Sequence, residues 1–280
     1  MKISRFICVI LALLTAASGS CSASMLEFMN RGYAAEKIAR RAGFAKEYIK
    51  TKDFTLMTYQ RFNSPGEKIR IYIEGDGRAW NSRNRLSDDP TPSNPIALQL
   101  AAADHSGNVA YIARPGQFPD GNPTACDGVY WSGRRFAPEV VDSFMEAVDI
   151  LKKKSGARAL ELTGYSGGGA IAVLIAARRD DVAALRTIAG NLDHAAVNRY
   201  HNVSSLKGSL NPIDHAETVS KIPQRHFSGS KDRTVPPFIA DLFTERAGDA
   251  SHARVTKVEG ASHDAGWVDK WPELLSVPVQ

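Results

Sequence analysis

Along the chain the spacing of apolar positions changes repeatedly between two periods. Residues 54–62 alternate, and 69–74 and 108–114 are short apolar runs rich in β-branched and aromatic residues, so each predicts a strand. Asn63-Ser64-Pro65-Gly66 separates the first two as a turn signal. Pro138 opens a stretch in which Val140, Val141, Phe144, Val148 and Leu151 form one apolar helical face, with proline in the first turn, where its missing N–H breaks no helical bond. Further on the pattern predicts strands over 158–163, 182–189, 222–228 and 254–259, and helices over 168–179 and 236–247. Upstream, 25–50 predicts a short amphipathic helix, with Ile38, Ala39, Ala42 and Ala45 on one side and Arg31, Lys37, Arg40 and Arg41 elsewhere. There is no internal repeat and no low-complexity linker.

From residue 69 onward strands alternate with helices, the order of an α/β domain with a mostly parallel central sheet and helices on both faces. Such sheets bind ligands beyond the carboxyl ends of their strands. The loops at those ends carry Gly75-Asp76-Gly77, Pro115-Gly116-Gln117, Ser166, Asp193, Asp232 and His263.

With 280 residues, 43% hydrophobic and 23% charged, the chain is neither disordered, collagen-like nor a disulfide scaffold. Its amino end changes the picture more. Lys2 and Arg5 precede an uncharged run of about twelve residues, too short to span a bilayer but suited to a signal-peptide core; Ser18, Gly19, Ser20 and then Cys21 follow. This predicts a signal peptide over 1–20 and a single domain over 21–280. Export leaves a periplasmic or membrane-anchored lipoprotein if Cys21 is lipidated, or a secreted protein if cleavage is ordinary, near Ala23. Removing the signal takes Lys2 and Arg5 and no acid, so the formal charge of +5 becomes +3. The tight run Lys152-Lys153-Lys154 ends a predicted helix, where it complements the dipole; nucleic acid is not an expected partner. Once Cys8 leaves with the signal, Cys126 is either a lone thiol or a partner for Cys21.

The strongest chemical signal is Gly164-Tyr165-Ser166-Gly167-Gly168, set between a strand and an apolar helix. Reversing from strand to helix over one residue forces strained backbone angles and crowds the flanking positions, which therefore need glycine. Ser166 is left at the tip, beside a helix amino terminus that favours negative charge. No Lys-Ser or Lys-Thr follows the glycines, against a phosphate-binding loop. A serine needs a base. Of the seven histidines, His263 in Gly260-Ala261-Ser262-His263-Asp264 lies beyond the carboxyl end of the last strand, on the same sheet edge as Ser166. Two acids compete to orient it, Asp232 and Asp193. The order Ser166, Asp232, His263 and the pattern Gly229-Ser230-Lys231-Asp232-Arg233-Thr234-Val235-Pro236 favour Asp232, while a helix cap is the ordinary role of either. For an oxyanion, donors are expected at the N–H of Gly167 and in the Gly75-Asp76-Gly77 turn, at Asp76 with Gly77 as the alternative.

On these residues (the Gly-Tyr-Ser-Gly-Gly elbow, the Asp232 motif, Ser262-His263-Asp264 and the Glu74–Gly77 loop) the sequence resembles the α/β-hydrolase superfamily over roughly residues 54–272. The resemblance implies the α/β-hydrolase fold and a Ser166–His263–Asp232 triad working through an acyl-enzyme. The shortness of the segment 194–215 argues against a bulky lipid-binding lid, so the expected substrate is a small to medium carboxylic ester; with no His-Glu-x-x-His or cysteine pair, no metal and no cofactor are expected. Two features depart from the resemblance. Glu74 stands where many members have histidine, and the short amino-terminal part predicts a sheet trimmed from eight strands to about seven. Trp80, Tyr130, Trp131 and Phe136 are candidate pocket aromatics, and 194–215 is a candidate short cap. A peptidase or acyltransferase on the same triad, or a non-catalytic exported binding protein, are the alternatives.

Overall fold

The computed structural model describes residues 30–119, 126–248 and 252–279. An eight-stranded sheet runs through it in the order β1 (Ala45–Lys50), β2 (Thr55–Phe62), β6 (Asn108–Ile112), β3 (Ile69–Ile73), β7 (Leu160–Tyr165), β8 (Val182–Ile188), β9 (Gln224–Gly229), β10 (Ala253–Val258). β2 pairs antiparallel with both β1 and β6, and from β6 to β10 every pairing is parallel. A two-stranded ribbon, β4 (Trp80–Ser82) with β5 (Arg85–Leu86), lies apart.

Alternation along β3 divides the core. Ile69, Ile71 and Ile73 face a layer built from α3 (Pro138–Ser155), α4 (Gly167–Ala176) and the 3-10 turn Pro212–His215. Tyr72 faces the opposite layer, with α1 (30–41), α2 (Ile96–Ala102) and α7 (Trp271–Ser276). Helix α4 is buried at every position, as expected of a helix apolar on all sides. Helix α3 is amphipathic; Gly156, in the left-handed conformation, closes it after Lys152, Lys153 and Lys154. The remaining helices are α5 (His194–His201) and α6 (Phe238–Ala247).

Two expectations are corrected. The segment 25–50 is not one helix. In its described part α1 ends at residue 41, Gly43 turns the chain at φ 73°, and Ala45–Lys50 forms β1. Gly43 ends the helix, and β2 then offers an edge along which Tyr48 and Ile49, both β-formers, pair. Strand β1 also supplies the eighth member of the sheet, which is therefore not trimmed. Residues 1–29, including the expected signal and Cys21, lie outside the described residues.

Candidate active site

Strand β7 ends at Tyr165 and α4 begins at Gly167, leaving Ser166 alone to reverse the chain. It does so at φ 51° and ψ −120°, a conformation that costs a non-glycine residue about 1–3 kcal/mol and persists only when its surroundings enforce it. The Ser166 N–H donates to the Ile188 carbonyl at 2.9 Å, and the Ser166 carbonyl accepts from Gly169 at 3.0 Å and Asn191 at 2.9 Å. The flanking glycines are required by contact: a Cβ on Gly164 would lie 2.2 Å from the Gly168 carbonyl oxygen, and one on Gly168 would lie 2.2 Å from that of Ile73.

His263 reaches Ser166 from the loop after β10. Its backbone is held by Tyr165, whose hydroxyl donates to the His263 carbonyl at 3.1 Å, and by the Trp267 indole at 2.9 Å. The imidazole Nε2 lies 3.0 Å from Ser166 Oγ and Nδ1 lies 2.9 Å from Asp232 Oδ2. Asp232 is anchored by its other oxygen, which accepts from the N–H groups of Thr234 and Val235 at 2.8 and 2.9 Å. With Oδ1 saturated by the backbone, Oδ2 accepts the Nδ1 proton, which leaves Nε2 able to accept from the serine. The carboxylate is fully buried and the imidazole 13% exposed. Asp193 has the other role weighed for it: it caps α5, accepting from Ala195 and Ala196 N–H at 3.0 and 3.1 Å and from the Asn211 amide at 2.8 Å.

The loop after β3 is held at each residue. Glu74 is buried. Its Oε1 accepts from the Gly75 N–H at 2.9 Å and from the Ala97 N–H, in the first turn of α2, at 3.4 Å; the Tyr111 hydroxyl donates to Oε2 at 3.2 Å. Burial raises its carboxyl to about 7 against the lowering effect of these donors. Gln117 donates to the Gly75 carbonyl at 2.9 Å and accepts from the Arg114 N–H at 3.0 Å. Gly77 has φ 63°, and a Cβ there would meet the Pro90 carbonyl at 2.1 Å. The Asp76 N–H makes no bond to any described residue, and Gly167, opening α4, has no preceding helical turn to donate to.

The Asp76 side chain is a feature that motif reasoning missed. Its carboxylate accepts from Arg135 Nη1 at 2.6 Å and Arg114 Nη1 at 3.1 Å, and it lies against the elbow: a Cβ on Gly167 would be 2.1 Å from Asp76 Oδ1. Burial alone would raise this carboxyl, but Arg135 and Arg114 outweigh it and hold it below the usual carboxylate range. Burial draws the Arg114 guanidinium down, against the pull of Asp76; arginine starts high enough to remain charged at neutral pH. Arg114 also donates to the Arg135 carbonyl and lies over the Phe136 ring, 5.3 Å from its centroid. Its position just past the end of β6 was the sequence signal available; Arg135 had none.

Ser166 and His263 open on a cleft of about 520 Å³, lined also by Asp76, Gly77, Arg78, Trp80, Asn94, Arg135, Tyr165 and Thr234. Of the four candidate pocket aromatics only Trp80 lines it. Phe136 is wholly buried in the core, Tyr130 packs edge-on to Phe54, and Trp131 is pinned by its indole N–H to the Ser87 carbonyl. Aromatics near the right loops were drawn into packing, the commoner fate of such side chains. The candidate cap, 194–215, contributes no residue to the cleft lining. Cys126 is half-buried and unpaired among the described residues, its thiol pushed up to about 12 by burial.

No family model and no curated protein matches the sequence. Solved structures do resemble it. The Pyrococcus furiosus esterase Pf2001 shares 13% identity at a TM-score of 0.58, over 85% of this chain and 93% of its own. A membrane phospholipase A, described as a bacterial virulence factor, shares 15% at 0.56, over 96% and 94%. A puromycin-hydrolyzing peptidase of Mycobacterium tuberculosis shares 14% at 0.59, over 83% of this chain but 37% of its own. Three activities on one scaffold, at such low identity, speak to architecture, and with the sheet order, elbow and strand-end loops described above they establish that this chain has the α/β-hydrolase fold.

Proposed function

We propose that the protein is a serine hydrolase that cleaves small to medium carboxylic esters through an acyl-enzyme. The observation that carries the reading is the convergence of Ser166, His263 and Asp232, from three separate strand ends, at hydrogen-bond distances of 3.0 and 2.9 Å. Ser166 Oγ attacks the ester carbonyl carbon while His263 Nε2 takes its proton. Asp232 keeps the imidazole in the productive tautomer and stabilises the imidazolium. The carbonyl oxygen becomes an oxyanion, received by the N–H groups of Gly167 and Asp76, each such donor being worth about 10²–10³ in rate. His263 then protonates the departing alcohol. A water, deprotonated by His263, attacks the acyl-serine and releases the acid, returning the proton to Ser166.

Labelling with a fluorophosphonate and turnover of 4-nitrophenyl acetate and butyrate test this. Wild-type protein is expected to label at Ser166 and turn over, and Ser166→Ala to lose labelling and at least about 10³-fold of turnover. Turnover surviving in Ser166→Ala would refute the assignment. An amide series run beside the esters separates a peptidase from an esterase.

The proposal extends to location. The basic-apolar-small order of residues 1–20 is an export signal and Cys21 is the lipidated first residue of the mature protein, which anchors it to a membrane. Cys21→Ser is expected to move the protein from the membrane to the soluble fraction; unchanged fractionation would refute anchoring through this residue.

A further inference from the structure

We infer that the ester this site takes is anionic: it carries a carboxylate, which Arg135 recognises at the cleft wall. The inference deepens the proposed hydrolase reading and rests on it.

Three observations carry it. First, the lining holds no side chain shaped to enclose a fatty acyl chain. Among the described residues no Leu, Ile, Val, Met or Phe lines the cleft; its apolar surface comes from Trp80, Ala79, Pro92, the Tyr165 ring and the stems of polar side chains. Second, Arg135 is half-committed. Its Nε donates to the Ser132 carbonyl at 2.8 Å and its Nη1 to Asp76 Oδ2 at 2.6 Å. Its Nη2 has no partner among the described residues, and the side chain, 15% exposed, lines the same cleft as Ser166 and His263. Third, the local charge does not cancel. Asp76 faces two guanidiniums, Arg114 and Arg135, so the cluster carries one surplus positive charge. Of the acids on the lining, Glu74 is buried under its own donors, and Asp264 keeps its charge at the exposed rim, where solvent screens it. A partly enclosed guanidinium with free N–H groups and one unmatched charge fits a monoanion, and a carboxylate is the monoanion an ester most readily carries.

The test compares substrates with and without that charge, each carrying a single ester. 4-Acetoxybenzoate against its N,N-dimethylamide puts the anion on the leaving group; 4-nitrophenyl hydrogen adipate against the 4-nitrophenyl ester of its N,N-dimethylamide puts it on the acyl side. Wild type is expected to prefer the anionic member of at least one pair by about tenfold or more in kcat/KM, the scale of one charge-assisted hydrogen bond. Arg135→Gln should bring that preference close to one, and Arg135→Lys should restore part of it. Because each preference is a ratio measured on one protein sample, it is insensitive to the fraction folded. A ratio near one in wild type for both pairs, or a preference that survives Arg135→Gln, overturns the inference while leaving the hydrolase intact. Absence of fluorophosphonate labelling and of turnover on all four esters overturns the hydrolase reading, and this inference with it.

Discussion

Glu74 is a buried carboxyl at the base of the loop after β3, and it ties the stability of the fold to pH. Its ordinary value of 4.5 is raised to about 7 by burial. Between those values the folded chain keeps a proton that the unfolded chain has released, so stability falls as pH rises through the window. The contribution is complete below pH 4.5 and lost once pH has passed about 7. At about 1.4 kcal/mol per pH unit, the full interval corresponds to roughly 3 kcal/mol, most of it falling between pH 5 and 8. Glu74→Gln removes the titration but keeps the local bonds: its carbonyl oxygen can still accept from the Gly75 N–H, and its amide can donate to the Tyr111 hydroxyl. Urea unfolding of wild type and Glu74→Gln at pH 5, 6, 7 and 8 measures the effect as a difference, in which every other titrating group cancels. The variant is expected to gain about 2–3 kcal/mol relative to wild type on going from pH 5 to pH 8. Parallel stability curves across that range would refute the reasoning, because they would mean that Glu74 ionises as easily inside the protein as outside it.

Three further outcomes are expected. Asp232→Asn should lower kcat by about 10⁴, because the amide favours the wrong imidazole tautomer, whereas Asp193→Ala should cost about 1–2 kcal/mol in urea unfolding, as loss of a helix cap does, and leave fluorophosphonate labelling intact. Gly168→Ala should destabilise by at least about 1–3 kcal/mol, since its Cβ would lie 2.2 Å from the Ile73 carbonyl in a packed sheet-helix contact; a thermal midpoint equal to wild type would contradict the elbow geometry. His226 is buried between Thr187 and Gln224, and burial lowers it from 6.5 to about 3. The unfolded chain therefore takes up a proton first as pH falls below 6.5, and wild type should lose about 3 kcal/mol more than His226→Gln between pH 7 and pH 4.

The central architecture was legible because local pattern and global order agree there. Short apolar runs separated by helical periods leave few alternatives to a parallel sheet, and the runs at 69–74, 108–114, 158–163, 182–189, 222–228 and 254–259 correspond to β3, β6, β7, β8, β9 and β10. The misreadings fall where tertiary contacts decide. Nothing in Ala45–Lys50 outweighs the alanine-rich period upstream until Gly43 ends the helix and β2 offers an edge with which to pair. Helix α2 is only seven residues long and follows prolines and serines, so no period could emerge; it forms on a buried face, with the Glu74 carboxylate accepting from an N–H of its first turn.

The same division explains the site. Ser166, Asp232 and His263 each stand just past a strand, so strand order alone brought them to one edge. The partners of Asp76 could not be found that way, since Arg114 and Arg135 lie 38 and 59 residues along the chain from it. Yet the loop needs them. In the proposed mechanism, a lone carboxylate about 4 Å from the oxyanion would oppose it by about 4 kcal/mol at an effective dielectric near 20, as much as one backbone donor supplies. Asp76 is tolerable beside Gly167 only because two guanidiniums neutralise it. The absence of a side chain at 167 lets the carboxylate lie against the elbow, and its bonds to Arg114 and Arg135 lock the loop after β3. The motif Gly75-Asp76-Gly77 reads as a turn in sequence; in the fold it is one half of an ion-paired clamp, and replacing either arginine should disturb that loop without touching Ser166, His263 or Asp232.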